Sequence, residues 1–307
     1  MNCMSSTGHS ASLKAILYAF LANLGLAIAK TAAAIYTGSG SMLAEAIHSY
    51  ADCGNQVLLY IGLRQSLKPA DDQHPLGYGK VTYFWSFIVA ILLFSMGGLF
   101  SIYEGWHKLH TTEPLNQAWV ALLVLGFGIV LECFSLAGAL REISHLRKER
   151  PFWQWFENTR NAELVVILGE DSAAILGLVL AFIFVTLAWI TGNPVFDALG
   201  SICIGVVLVL VSAFIGWRIK MLIIGRSAEP ELVQIIQEII AADNCIEKVL
   251  NTLTMQFGPH VMLAAKVKIK TGLSIEDTVR EINELEKQIK QRTPAVKWCF
   301  IEPDIKE

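Results

Sequence analysis

Charge is what this sequence has least of. Only 17% of its 307 residues are Asp, Glu, Lys or Arg, where a soluble chain of this size carries about a quarter. The net charge is −3 with no strongly basic patch, so nothing favours nucleic acid as a partner. The six cysteines (Cys3, Cys53, Cys133, Cys203, Cys245, Cys299) are scattered and form no CxxC pair, so neither a disulfide framework nor a thiolate zinc finger is signalled. Cys53, Cys133 and Cys203 fall in apolar segments, where cysteine behaves as a small hydrophobe. The chain has no HExxH motif, and His48-Ser49-Tyr50-Ala51-Asp52 has no glutamate beside its histidine. That speaks against an intramembrane metalloprotease, and no enzyme activity is expected. The polar stretch Met1 to Ser12 is short, and the apolar run after it is too long for a signal-peptide core and has no convincing cleavage site. It reads as a first, retained transmembrane helix.

What the chain has instead is apolar length. Hydrophobic residues make up 54% of it, bunched in the first two-thirds, and the last ~80 residues look soluble. Candidate spans are 15–36, 41–63, 81–106, 117–140, 164–191 and 198–223, each long enough to cross ~30 Å of hydrocarbon as a helix. Thr37-Gly38-Ser39-Gly40, the loop Pro69 to Gly79 and Gly192-Asn193-Pro194 break the runs. Six spans put both termini on one side. Arg64, Lys68 and Lys80, then Arg141, Arg147, Lys148, Arg150 and Arg160, then Arg218, Lys220 and Arg226 lie at that side, while the opposite loops hold only Lys108, with Lys30 near the outer end of the first span. The excess of lysine and arginine predicts cytoplasmic termini. A bacterial inner membrane is favoured over an organelle membrane. Trp106, Trp119, Trp189 and Trp217 stand near span ends as interfacial anchors, and the aromatic segment Pro151 to Arg160 is expected along the inner membrane surface.

From about Ser227 the pattern changes. Glu229 to Ala242 has helical spacing, Glu247 to Gln256 and Met262 to Ile269 read as strands, Ser274 to Arg292 is a charged amphipathic helix and Val296 to Ile301 a last strand. The expected fold is therefore an α-helical membrane protein, a six-transmembrane-helix bundle at 1–226 followed by a ferredoxin-like α+β cytoplasmic domain at 227–307.

Ionisable residues within a span are costly, by at least ~2.5 kcal/mol for a mid-membrane Asp. The second span carries Glu45, His48, Asp52 and Gln56, at offsets of 3, 4 and 4 residues, which put all four on one helical face. A histidine and an aspartate one turn apart can ligate one metal ion, and imidazole with carboxylate suits zinc and its transition-metal neighbours. The fifth span carries Glu163, Glu170 and Asp171, and the fourth adds Glu132. Glu163 and Asp171 share a face two turns apart, and Glu170 stands about 100° around from Asp171. Counted from the cytoplasmic ends, Asp52, Glu132 and Asp171 lie at similar depths, so three helices could aim carboxylates and one imidazole at a common point.

With these residues in hand, the sequence resembles the cation diffusion facilitator family over nearly its whole length. The run Ser39 to Asp52 resembles that family's second helix, with its His or Asp, three residues, then Asp. The loop Pro69-Ala70-Asp71-Asp72-Gln73-His74-Pro75-Leu76-Gly77-Tyr78-Gly79-Lys80 resembles the family's loop into the third helix. The resemblance implies a homodimer that exchanges a divalent transition metal, zinc first among the candidates, for protons across the bilayer. It carries His48 and Asp52 into one half of the transport site and Asp171 into the other. The family's remaining ligand, four residues before Asp171, is Ile167 here, which cannot bind metal. Glu132 and Glu170 are the first choices to complete four-coordination, ahead of Asn23 or a water molecule. The run Gly169 to Ala174 is similar to a divergent branch that includes a mitochondrial zinc exporter. Asp71 and His74 match a second, loop metal position whose third ligand, a histidine in some members, is Tyr78 here. Positions matching the C-terminal paired-metal site of zinc-exporting relatives hold Leu250, Lys266 and Phe300, and only Glu302 keeps a ligand type, so the domain is expected mainly to dimerise. No cofactor is expected besides the transported metal. Two other readings follow from the missing ligand: a Mn(II) or Fe(II) transporter, because an oxygen-richer site takes harder ions, and a non-transporting regulatory or partner subunit.

Overall fold

A computed structural model describes residues 6–111 and 117–306, with side chains throughout except at 6–19 and 22. The first five residues of the polar N-terminus, Cys3 among them, lie outside the described residues. Six long helices run through the first three-quarters of the chain. They are α1 (Ser6–Thr37), α2 (Gly40–Ser66), a continuous rod made of α3 (Val81–Leu92), a π-helical stretch (Leu93–Leu99) and α4 (Phe100–Thr111), then α5 (Ala118–Arg147), α7 (Ala162–Thr191) and α8 (Val195–Ile224). The short α6 (Phe152–Asn158) lies between α5 and α7. Among the described residues, four helical stretches, Val81–Thr111, Ala118–Arg147, Ala162–Thr191 and Val195–Ile224, are long and apolar enough to cross a membrane on length and composition alone. The helix α2 has the length, 27 residues, but its polar face lowers its hydropathy. That is the pattern of a helix that faces a polar pathway inside a bundle rather than lipid.

The turn between α1 and α2 is built from its residue types. Gly38 takes a positive φ of 70° and its amide bonds to the Ala34 carbonyl at 2.9 Å, ending α1 in the conformation glycine allows. Ser39 then caps α2, its hydroxyl accepting from the Met42 amide at 3.1 Å. The third and sixth spans meet through glycine. A Cβ on Gly98 would lie 2.6 Å from Val209 Cγ2, one on Gly105 2.6 Å from the Ala198 carbonyl, and one on Gly205 2.7 Å from the Gly98 carbonyl. This is the small-residue packing by which membrane helices approach closely. Outward, Leu123, Phe127, Val130 and Phe134 of α5 are exposed, as are Trp106, Trp119, Trp189 and Trp217 at the span ends, which suits lipid and interface contact.

The C-terminal fold has the order α9 (Pro230–Ala241), β1 (Ile246–Phe257), β2 (His260–Ile269), α10 (Ile275–Arg292), β3 (Val296–Pro303). The sheet order is β1-β2-β3, antiparallel between β1 and β2 and parallel between β2 and β3. The parallel pair requires a crossover, and α10 supplies it. Ser274 caps α10 by accepting from the Asp277 amide at 3.1 Å. Val261, Leu263, Ala265 and Val267 alternate onto the buried face of β2 and pack against Ile236, Ile239 and Ile240 of α9 and Leu285 and Ile289 of α10. Helices cover one face of a mixed sheet, the α+β arrangement expected for this segment.

The chain divides into two compact units. One takes in the chain up to Ile61, Trp85–Lys148 and Glu163–Arg218; the other takes in Gly62–Phe84, Glu149–Ala162 and Ile219 onward. In the second unit, the loop after α2 docks on the β1–β2 turn. Lys80 lies over the Phe257 ring at 4.5 Å, and the Tyr83 hydroxyl donates to the Gly258 carbonyl at 3.2 Å. Arg160 donates to the Ser227 carbonyl at 2.8 Å, and Arg150 pairs with Glu229 and Glu231 at 3.2 and 3.1 Å.

Candidate metal centre

The site grows out of one face of α2. Glu45 and His48 are 0% and 1% exposed, and Asn55 is 0% exposed. His48 Nε2 and Asp52 Oδ2 stand 3.5 Å apart. Glu45 Oε1, both ring nitrogens of His48, Asp52 Oδ1, Asn55 Oδ1 and Gln56 Oε1 are buried with no hydrogen-bond partner among the described residues. Buried polar groups are nearly always paired, so a file of unpaired polar atoms along about three turns of one helix has the chemistry of a cation pathway. Two side chains face it from other helices. Glu170 of α7 is 8% exposed and accepts from Asn55 Nδ2 at 2.6 Å. Asp171, half-buried, accepts from the Ser135 hydroxyl of α5 at 3.0 Å. Glu132, also half-buried and one turn before Ser135, is within electrostatic reach of Asp52, Asp171 and His48. Asp52 in turn acts on both Glu170 and Asp171. The structure thus brings His48, Asp52, Glu132, Glu170 and Asp171 into one neighbourhood spanning α2, α5 and α7.

Three groups of the neighbourhood are missed by sequence reasoning. Lys30, which the sequence places as a charge near the outer end of the first span, is 0% exposed. Its ammonium donates to Glu45 Oε2 at 3.2 Å and to Ser49 Oγ at 2.7 Å. Charge inside a span does not reveal its partner when that partner lies on another helix. Asn55 is the second; its only signal is its place three residues after Asp52 on the polar face. Asp197, at the start of α8, is the third. Its carboxylate accepts from Ser39 Oγ and the Gly40 amide, both at 2.6 Å, and from the Ser41 amide at 3.2 Å. An anion at the first amides of α2 opposes the positive end of the helix dipole and fixes the height at which α2 presents His48 and Asp52. Lys108, 3.9 Å from Asp197, also donates to the Gly38 carbonyl.

Residues 16–219 match the cation efflux transmembrane domain. This chain belongs to the cation efflux family, the cation diffusion facilitators. It is 35% identical over 313 residues to the mitochondrial proton-coupled zinc antiporter SLC30A9 of Xenopus laevis, covering 89% of this chain and 56% of that protein. The Homo sapiens protein of the same name is 34% identical over 256 residues, 83% of this chain and 44% of the relative. Metal tolerance protein C4 of Arabidopsis thaliana is 29% identical over 229 residues, 73% and 49% respectively. The chain therefore spans about half the length of the curated relatives it matches.

These relatives correct one expectation. Sequence pattern favours a bacterial inner membrane, but relatives at 34–35% identity are named as mitochondrial, which points to an organelle membrane. The physical reason is plain. Span hydropathy and the lysine and arginine bias report depth and sidedness in a bilayer, and a bacterial membrane and one of bacterial descent impose the same pattern.

Within the family pattern, Ile167 is half-buried one turn before Asp171, and Glu170 is the carboxylate that α7 turns toward α2. The loop pair Asp71 and His74 lies 3.4 Å apart. Both oxygens of Asp71 are engaged within the loop, by the Tyr78 hydroxyl at 2.6 Å and by the amides of His74 and Gln73 at 2.7 and 3.1 Å. The Tyr78 hydrogen bond, followed by the His74 amide, holds Asp71 below the usual carboxylate range. In the C-terminal fold, the Lys266 ammonium stands 2.9 Å from Asp304 and 3.7 Å from Glu302, and these contacts hold it above the ordinary lysine value. Asp243, Cys245 and Glu281 have ligand-type atoms within 4.8 Å of one another. Burial and the Asp243 carboxylate push the Cys245 thiol up to about 12, so it stays protonated at neutral pH and is a poor ligand.

Proposed function

We propose that this chain moves zinc across an organelle membrane in exchange for protons, with His48, Asp52 and Asp171 as the central ligands and Glu170 in the place of the ligand lost at Ile167. Glu132 stands at the edge of the site. The observation that carries this reading is the row of unpartnered polar atoms on α2 facing Glu170 and Asp171. The names of the relatives, proton-coupled zinc antiporters, supply the metal and the counter-ion. Ligands must be deprotonated to hold a metal, so metal and protons compete for the same atoms. Carboxylates packed this closely away from water need one or the other to offset their charge. That competition couples the two fluxes. Residues 1–226 form the transport domain in this reading, and 227–307 the part through which two copies pair. Asp71 and His74 form a secondary metal position that requires Asp71 to exchange its Tyr78 contact for the ion. The chain is a transporter rather than an enzyme, and metal is its substrate.

The test is flux in proteoliposomes under a pH gradient, with Zn(II), Mn(II) and Fe(II) offered separately. Zinc flux with opposite proton movement, abolished by Asp52→Ala and by Asp171→Ala, is the expected result. Normal flux in both variants refutes the site. Preference for Mn(II) or Fe(II) favours the harder-ion reading that the carboxylate-rich donor set allows. Zinc binding without flux of any metal makes Ile167 the mark of a non-transporting partner subunit.

A further inference from the structure

The central site leaves Glu45 unused. Glu45 precedes His48 by three residues, so their side chains are neighbours on α2. One carboxylate oxygen takes the Lys30 ammonium at 3.2 Å; the other, Oε1, is buried without a partner among the described residues. Oε1 faces Gly177 of α7, where any Cβ would collide with it. His48 turns Nε2 toward Asp52. Its Nδ1 is also unpartnered and looks toward Gly97 of the π-helical stretch, where a Cβ would stand 3.8 Å away. Glycine at 177 therefore keeps a side chain off the free Glu45 oxygen, and His48 Nδ1 lies in ordinary contact distance of the Gly97 position. The Lys30 stem packs against Gly128 of α5, 3.6 Å from where its Cβ would be.

We propose that Glu45 and His48 form a second metal position on α2, one turn from the His48–Asp52 pair toward the α1–α2 turn, which the Lys30 ammonium fills until a metal ion displaces it. The inference rests on the transport reading given under Proposed function. A buried ion pair that served the fold alone would be expected to have its remaining lone pairs satisfied, since desolvation otherwise outweighs the attraction. Here one carboxylate oxygen and both imidazole nitrogens are unsatisfied beside the pair. Carboxylate with imidazole at i and i+3 is a ligand pair that helical metal sites use. The displaced ammonium keeps Ser49, 2.7 Å away. It has a second carboxylate in Glu132, one turn along α5 from Gly128, on which it already acts electrostatically. Lys30 would thus be a tethered cation that yields to the passing ion and returns behind it, with His48 serving the first stop through Nε2 and, once the remaining ring proton has left to solvent, the second through Nδ1.

The test is Zn(II) titration of the purified full chain in nanodiscs, read by calorimetry and by the zinc-dependent rise in the thermal midpoint. Wild type should take one zinc tightly and a second at least tenfold more weakly. Lys30→Met should tighten the second equivalent at least tenfold and lower the KM and the kcat of transport together, because the ion now rests where the ammonium used to expel it. Glu45→Gln and the double variant should take one zinc only. If Lys30→Met is recovered folded only in zinc, that dependence, and its absence in Lys30→Met/Glu45→Gln, supports the proposal just as the tightened binding would. Unchanged second-site binding in Lys30→Met, or a second equivalent that survives Glu45→Gln, overturns the proposal. A first equivalent that is lost in Asp52→Ala while the second ignores Glu45 refutes the second position alone. A first equivalent indifferent to Asp52 refutes the transport site itself.

Discussion

The replacement of the missing family ligand can be tested through Asn55, which is not itself among the ligands named from sequence. Its amide donates to Glu170 at 2.6 Å, and both residues are buried. If Glu170 stands in for Ile167, that hydrogen bond is what turns the carboxylate toward Asp52. Removing such an orienting partner costs metal affinity about 10- to 100-fold, which is about 1.4–2.7 kcal/mol. Asn55→Leu keeps the volume and removes the donor, so its zinc Kd should rise by that factor. Ile167→Asp supplies a carboxylate one turn from Asp171 and should make the site independent of Glu170. In that background Asn55→Leu should cost less than about threefold, well below the tenfold that 1.4 kcal/mol represents. Zinc titration of the four proteins, each checked for a cooperative thermal transition, measures the coupling directly. Two results refute the reasoning: Asn55→Leu binding zinc as wild type does, or a full loss that persists beside Ile167→Asp.

Asp197→Ala removes an anion that holds the Ser39 hydroxyl and two amides of α2; capping and charged hydrogen bonds together make the loss about 3 kcal/mol, read as a lowered thermal midpoint with weakened zinc binding. Gly205→Leu places side-chain atoms where a Cβ alone already lies 2.7 Å from the Gly98 carbonyl, so the third and sixth spans should separate and the folded yield should collapse, whereas Gly138→Leu, at a glycine with open space around it, should be tolerated. The loop held by Asp71 should be ordered above about pH 4, the ordinary carboxylate value, and should lose its order as pH falls through the lowered value of the folded state. Asp71→Asn should remove that pH response, followed through exchange of the His74 amide.

Much of this architecture is legible in the sequence because it is written in periodicity. The spans follow from apolar length, and the polar face of α2 follows from offsets of 3 and 4 residues between Glu45, His48, Asp52 and Gln56. The strand β2 announces itself by strict alternation at Val261, Leu263, Ala265 and Val267. What could not be read is whatever depends on a partner distant in the chain. Lys30 meets Glu45 fifteen residues away across a helix turn, Asn55 meets Glu170 at a separation of 115, and Ser39 meets Asp197 at 158. No local pattern encodes those pairings. The π-helical stretch at Leu93–Leu99 is equally silent, since a run without charge gives no phase against which its wider turn would register. Sequence placed the loop after α2 with the spans, yet Lys80 and Tyr83 bind the β1–β2 turn, because a turn of polar residues gives no sign of what it docks on.

Lysine meets carboxylate in two settings here, and burial separates their consequences. Lys266 sits between Glu302 and Asp304 at the surface, 40% exposed, in the place where the family resemblance would put metal ligands. Water screens that pair, and exposed pairs contribute about 0–1 kcal/mol, so its exchange for an ion would alter little else. Lys30 and Glu45 are both 0% exposed. In the low dielectric around them the ammonium cannot leave its carboxylate unless another cation arrives. The Lys266 pairing is therefore a screened surface contact, whereas the Lys30 pairing, on the reading proposed above, is one in which a divalent ion takes the place of a tethered monovalent cation. Only the second kind can make the entry of one cation depend on the departure of another, which is the physical requirement of an exchanger.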